Sequence, residues 1–218
     1  MKHAALCRDI IATVRSFTSL GLGVGTAGNV SVRVAGGLLI TPTGIPYEEL
    51  RPVDIVQLDL QGNVTSGSLA PSSEWRFHCD ILARREDVGT IVHVHSAFAT
   101  AIACTRRDIP AFHYMVAVAG GDSIRCAPYA TFGTAALSRH GLRALRDRHA
   151  CLLANHGQIA LGADLPAALA MAQEVEELAR QYWLSQQLRQ PVLLDRKEMK
   201  TIVEKFKHYG RRPTGKRR

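Results

Sequence analysis

Two histidines one residue apart, His93 and His95, lie in the apolar run from Thr90 to His95, which reads as a β-strand. Alternate side chains of a strand project from one face, so both imidazoles can reach a single metal ion without distorting the backbone. Two half-buried polar residues would give the same pattern, so a third ligand decides the chemistry. Spacing leaves the choice open among His113, His140, His149 and His156. His156 precedes Gly157 and follows the apolar run Cys151, Leu152, Leu153, which places it at an accessible strand end. A lone histidine there is also a common loop residue. His113 would equally complete a three-histidine zinc hydro-lyase site of the carbonic anhydrase kind.

A second signal points to anion binding. Pro71-Ser72-Ser73-Glu74 sets two hydroxyls at the start of a helix, where free backbone N–H groups and the helix dipole favour negative charge. The plain alternative is a capped helix with an acidic first turn. Gly25-Thr26-Ala27-Gly28-Asn29 and Thr41-Pro42-Thr43-Gly44 are likewise either simple turns or parts of a cradle. Together, three small-residue turns rich in hydroxyls in the first third of the chain suit a phosphate held by amides and hydroxyls without lysine. None is a Walker loop, and the Gly21, Gly23, Gly25 series lacks the preceding strand of a dinucleotide fingerprint.

These residues need elements to hold them. Leu6, Ile10, Val14 and Phe17 recur at helical spacing, and the glycine series then ends the helix. Asn29 to Val34 alternates like a half-buried strand, Gly36-Gly37 makes a hairpin turn, and Leu38 to Ile40 returns. Ile55 to Leu60 reads as a strand closed by Gln61-Gly62-Asn63. Ser72-Ser73 caps a helix running from Glu74 towards Arg84. A short helix from Ala97 to Cys104, a strand from Tyr114 to Val118 and a helix from Thr134 to Arg146 follow. Leu165 to about Leu188 and Lys197 to about His208 are helical. Strands interleaved with helices, with hairpins among them, indicate an α/β sandwich with a mixed or antiparallel sheet.

The chain of 218 residues, 46% hydrophobic and 21% charged, suits one globular domain. Its longest apolar runs fall short of a membrane helix, and the charged start lacks the apolar stretch of a signal peptide, so a cytoplasmic location is expected. Five widely spaced cysteines with no Cys-x-x-Cys pair suggest neither a disulfide framework nor a thiolate zinc site. Of the net charge of +8, Arg211, Arg212, Lys216, Arg217 and Arg218 supply five, and +3 is left without them. That basic end reads as a disordered tail over 211–218, with no nucleic-acid or membrane role.

The blocks Gly25-Thr26-Ala27-Gly28-Asn29-Val30-Ser31, Ile40-Thr41-Pro42-Thr43-Gly44, Pro71-Ser72-Ser73-Glu74-Trp75, His93-x-His95, Ala127 to Thr134 and Asn155-His156-Gly157 resemble, in order, the class II aldolase/adducin family. Gly44 to Glu48, His113-Tyr114-Met115 and Glu204 to Gly210 extend the likeness and are most similar to members that cleave L-fuculose 1-phosphate. The likeness spans residues 1–210, which it marks as a single domain. It implies a three-layer α/β/α sandwich around a mainly antiparallel sheet, and a homotetramer with active sites between subunits.

It further implies that His156, rather than His113, joins His93 and His95 as ligands to Zn²⁺ or another divalent ion such as Mn²⁺ or Co²⁺. Glu74 would be a carboxylate near the metal and the catalytic base, and Tyr114 the proton donor or acceptor at the aldehyde oxygen. Gly28, Asn29, Thr43, Gly44, Ser72 and Ser73 match the positions that hold the substrate phosphate, and Phe132 and Tyr209 those that position the aldehyde. The implied reaction is reversible cleavage of a ketose 1-phosphate into dihydroxyacetone phosphate and an aldehyde such as L-lactaldehyde. Relatives on the same site include 5-deoxyribulose and methylthioribulose 1-phosphate aldolases or dehydratases, pentulose-phosphate 4-epimerases and sugar-acid-phosphate decarboxylases. The adducin-type head is a non-catalytic assembly module, against which the retained Glu74, His93, His95 and His156 argue. The sequence departs from the family pattern at Val94, Ser96 and Asn155, beside the ligands.

Overall fold

The computed structural model describes residues 3–206. Helix α1 (Ala4–Ser16) leads into the hairpin β1 (Asn29–Val34) and β2 (Gly37–Ile40), followed by β3 (Val56–Leu58) and β4 (Val64–Ser66). Then come α2 (Trp75–Arg84), β5 (Thr90–Val94), α3 (Ala97–Cys104), β6 (Ile109–Pro110), β7 (Ser123–Ile124) and β8 (Cys126–Ala127). The chain continues through α4 (Ala135–Ala144), β9 (Ala150–Leu153), β10 (Gly157–Gly162), α5 (Leu165–Leu188) and α6 (Arg196–Phe206).

Eight strands form one sheet in the order β4-β3-β2-β1-β5-β10-β9-β8. Every pairing in it is antiparallel except β8 with β9. The alternation of β1 and β5 decides which layer each residue meets. Val30, Val32, Val92 and Val94 pack under α1 and α5 on one face, with Ile10, Val14 and Ala172. Ile91 shares the other face with α2 and α4, through Phe77, Ile81 and Leu137. A third cluster joins α3, α5 and α6 over Ala150 and Leu152 of β9. The result is the three-layer sandwich around a mainly antiparallel sheet. Each fully buried Leu or Ile in these layers contributes roughly 1.5–3 kcal/mol, enough collectively to hold the central strands rigid under a site.

Three local expectations are corrected and one strand is added. Tyr114 to Val118 is not a strand but part of a 3-10 helix, Tyr114–Ala119, capped by the left-handed Gly120. Its apolar run is short enough to suit either conformation. The strand expected over 55–60 is shorter, Val56–Leu58, and its turn returns as β4. Ser72-Ser73 does not cap α2 in the ordinary way: Glu74 holds the N-cap position without a side-chain cap, and the Ser72 hydroxyl accepts from the Glu74 N–H at 3.3 Å. Finally, Gly157–Gly162 is a strand that the turn-like Asn-His-Gly start concealed. Of the cysteines, Cys7, Cys79 and Cys151 are buried, Cys126 is partly covered, Cys104 is exposed, and none forms a disulfide. Among the described residues no helix is long and apolar enough to cross a membrane. Tyr209 and the basic end lie outside the described residues.

Candidate functional site

Register places the chemistry at one end of the central strands. Asn29 of β1 pairs with His93 of β5, and Ile159 of β10 lies opposite His93 on its other side. His95 follows just past the end of β5. The β9–β10 turn delivers His156 through Asn155, whose φ is +54°, and Gly157. A Cβ on Gly157 would stand 2.5 Å from the Val94 carbonyl oxygen, so only glycine lets the turn approach β5 this closely. Glu74 enters from the start of α2 and completes a group whose ligand atoms all lie within 4.8 Å of one another.

Distances inside the group are short. His93 Nε2 lies 3.0 Å from Glu74 Oε2 and 3.0 Å from His95 Nε2, while His156 Nε2 lies 3.2 Å from Glu74 Oε1. His93 Nδ1 donates to the Gln158 carbonyl at 2.8 Å, which turns its Nε2 inward. Asn29 Nδ2 donates to Glu74 Oε2 at 3.0 Å. Burial pulls His93 down, but Glu74 and the Gln158 carbonyl hold it above the usual histidine value. Burial and the neighbouring His93 push His95 and His156 each down to about 4, so both are neutral at neutral pH. Burial also opposes ionisation of Glu74, yet His93, His156 and Asn29 outweigh it and keep the carboxyl well below the carboxylate range.

This donor set fits a divalent cation. Zinc takes three imidazoles at about 2.0–2.1 Å in tetrahedral sites, which puts ligand atoms about 3.3 Å apart, close to the 3.0 Å between His93 Nε2 and His95 Nε2. Glu74 Oε1 is buried and makes no hydrogen bond despite its nearness to His156, so one carboxylate oxygen is left for another partner. His113 is elsewhere: its Nδ1 accepts from the Met115 N–H at the start of the 3-10 helix, and it is absent from the group.

Beside the group opens a cavity of about 330 Å³ lined by Gly28, Asn29, Thr43, Gly44, Ser72 and Ser73, the six residues expected to hold phosphate, and by Phe132. The three turns are tied together. Thr41 N–H donates to the Val30 carbonyl, Ser72 N–H to the Thr41 carbonyl and Thr43 N–H to the Ala70 carbonyl, at 3.0–3.1 Å. The Tyr47 hydroxyl braces the first turn by donating to the Gly28 carbonyl at 2.8 Å. Gly28 has φ +101°, and a Cβ there would stand 2.6 Å from the His93 carbonyl oxygen. Among the described residues no lysine or arginine lines the cavity, so an anion there meets amides and hydroxyls.

The structure does not bring Tyr114 to this cavity within one chain. Its ring is 50% exposed and lies parallel to Phe206, centroids 6.4 Å apart. Four neighbours of the site, Tyr129, Asn155, Arg106 and His78, have no role in the sequence reading. Tyr129 and Asn155 line the cavity, and Arg106 Nε donates to Asn155 Oδ1 at 2.8 Å. His78, fully buried, bonds both Asn29 and Ser31. Its signal was present: Glu74 at the N-cap of α2 and His78 within it are four apart, opposite Asn29 and Ser31 two apart in β1.

The profile of the family described as Class II Aldolase and Adducin N-terminal domain matches residues 8–183. The chain is 57% identical over 206 residues to a 5-methylthioribulose-1-phosphate/5-deoxyribulose-1-phosphate aldolase of Rhodospirillum rubrum, spanning 94% of this chain and 93% of that one. It is 51% identical over 213 residues to an L-fuculose phosphate aldolase of Escherichia coli, spanning 97% and 99%. Among solved structures, an L-fuculose 1-phosphate aldolase superposes with a TM-score of 0.90 at 40% identity, covering 94% of this chain and 97% of that chain.

Proposed function

The chain belongs to the class II aldolase and adducin family, and on that premise we propose that it is a zinc-dependent lyase cleaving a ketose 1-phosphate reversibly into dihydroxyacetone phosphate and a short aldehyde. The substrate is L-fuculose 1-phosphate or a close analogue. A second reading, 5-deoxyribulose or 5-methylthioribulose 1-phosphate, is favoured by the 57% identity to the Rhodospirillum rubrum enzyme. Both leave the same three-carbon phosphate and an aldehyde with a small apolar end, against which the exposed Phe132 ring at the cavity is suited to pack.

The observation that carries the reading is the junction of a three-histidine, one-carboxylate group with a hydroxyl-rich cavity that has no lysine among the described residues. A divalent cation held by His93, His95, His156 and Glu74 would supply Lewis acidity to the oxygens of the ketose. Ser72, Ser73, Thr43, Asn29 and the backbone at Gly28 and Gly44 hold the phosphate and so fix the carbon chain over Glu74. Cleavage breaks the bond between the third and fourth carbons as the fourth-carbon hydroxyl loses its proton. Glu74, once it has taken up a proton from solvent, delivers it to the third carbon, which becomes the hydroxymethyl carbon of dihydroxyacetone phosphate, and removes it again in synthesis.

Steady-state assays of L-fuculose, 5-deoxyribulose and 5-methylthioribulose 1-phosphates, with product identification, test this reading. At least one is expected to release dihydroxyacetone phosphate. Products that keep every carbon would instead indicate an epimerase or dehydratase, and carbon dioxide from a sugar-acid phosphate a decarboxylase. Ser72→Ala and Asn29→Ala should each cost roughly 1.5–3 kcal/mol, about 10- to 150-fold in kcat/KM, since each deletes a hydrogen bond to a dianion. Equal activity on the dephosphorylated sugar would defeat the phosphate assignment.

The active enzyme is proposed to be a homotetramer in which Tyr114 serves the site of a neighbouring subunit, its hydroxyl exchanging a proton with the aldehyde oxygen. Half exposure of Tyr114 beside buried Val116 and Ala117 suits a face covered by another subunit. Homotetramers of Glu74→Ala and of Tyr114→Phe should each be nearly inactive, while co-refolded hybrids recover part of the activity. Well-mixed hybrids, verified by native mass spectrometry, that stay as inactive as their parents would remove Tyr114 from this role.

A further inference from the structure

A line of hydrogen bonds runs between β1 and α2 into the site. Ser31 Oγ lies 2.7 Å from His78 Nδ1, His78 Nε2 meets Asn29 Oδ1, and Asn29 Nδ2 donates to Glu74 Oε2 at 3.0 Å. Asn29, Ser31, Glu74 and His78 are all buried, His78 completely. The direction of every bond follows from one end. An ionised carboxylate only accepts, so Asn29 must turn its NH₂ to Glu74 and its carbonyl oxygen to His78. His78 must then carry its proton on Nε2, which leaves Nδ1 as an acceptor for the Ser31 hydroxyl. The Phe77 ring stacks on the imidazole, centroids 4.5 Å apart, and holds its plane.

We propose that His78 is a positioning residue of the reaction: as the Nε2–H tautomer, anchored by Ser31, it locks the Asn29 amide in the one orientation that both directs Glu74 and presents Asn29 to the substrate phosphate. This rests on the reading of Glu74 as base and Asn29 as phosphate donor. A flipped amide would set its oxygen against the Glu74 carboxylate and its NH₂ against the His78 N–H, losing both bonds at once. Without the imidazole, the Asn29 carbonyl and the Ser31 hydroxyl would be buried without partners, and the amide would be held from one side only. Glutamine at position 78 can still offer an N–H to Asn29 and an oxygen to Ser31. Leucine can offer neither.

The test makes His78→Leu and His78→Gln, each alone and combined with Asn29→Ala. It measures solvent exchange of the hydroxymethyl proton of dihydroxyacetone phosphate, and KM for that ligand, with bound metal and thermal melting as controls. His78→Leu should slow exchange about 10- to 100-fold and raise KM at unchanged metal content, the scale of losing hydrogen bonds around an ionised group. His78→Gln should recover most of the loss. In the Asn29→Ala background His78→Leu should cost no more than about twofold, because residues acting through one partner are not additive. An equal further loss in both backgrounds, or glutamine no better than leucine, would make His78 a packing residue and overturn the proposal. Should the leucine variant fail to fold, the ¹⁵N shifts of the wild-type ring decide: a proton on Nδ1 instead of Nε2 overturns it, and Nε2–H with glutamine rescue sustains it. Wild-type enzyme that exchanges no proton sinks the underlying reading and this proposal with it.

Discussion

Glu74→Gln is expected to leave the fold and the cavity in place while slowing exchange of the dihydroxyacetone phosphate proton with solvent by about 10²–10⁴-fold, the usual contribution of a general base. The substitution keeps the size of the side chain, and its amide oxygen can still accept from Asn29 Nδ2. What it removes is the basic electron pair and the charge. Although the site is buried, His93, His156 and Asn29 hold Glu74 ionised, which is the form a base needs. Glu74 is also a candidate metal ligand, so exchange must be measured at saturating metal, where the three imidazoles remain. Dihydroxyacetone phosphate binding should persist, because the residues proposed to hold phosphate are untouched. A Glu74→Gln enzyme exchanging the proton at the wild-type rate would show that another group is the base.

Much of this architecture was legible because it is written in short-range patterns. The alternation of Asn29 to Val34, the Gly36-Gly37 turn and the spacing of Leu6, Ile10 and Val14 each fix an element locally, and those elements stand where expected. The His-x-His pair carries its own geometric consequence, since His93 near the end of β5 and His95 just past it still bring their Nε2 atoms to within 3.0 Å. The third ligand did not, since the distance from His95 to His156 in space depends on β10 lying between β5 and β9. Spacing alone left His113 and His156 equal, and only the ordered blocks of the family separated them. His78 was overlooked for a related reason. Its partners belong to a strand more than forty residues away, and helical position alone cannot distinguish a packed histidine from one in a buried hydrogen-bond chain. The 3-10 helix at Tyr114 failed expectation because an apolar run of five residues carries no period long enough to identify its conformation.

The ligand choice itself gives the remaining large effect. The purified enzyme should carry about one zinc, or a similar divalent ion, per chain. His156→Ala should strip most of that metal and nearly all activity, because it deletes one of three imidazoles from the group. Loss of a mere outer-shell partner typically costs about 10–100-fold in metal affinity, and a direct ligand should cost more. His113→Ala should leave metal content unchanged, since that ring caps the 3-10 helix at Met115 and has no place in the group. Acidity should release the metal as well. A cation competes with protons for the same nitrogens, so occupancy falls as pH falls, and the proton that Glu74 stabilises on His93 is the first competitor. His95 and His156, held near 4 by burial and by His93, are neutral donors at neutral pH and resist that competition furthest. Elemental analysis after dialysis at a series of pH values reads all of this directly. Metal retained by His156→Ala and lost by His113→Ala would transfer the site to His113 and, with it, revive the zinc hydro-lyase chemistry that spacing alone allowed.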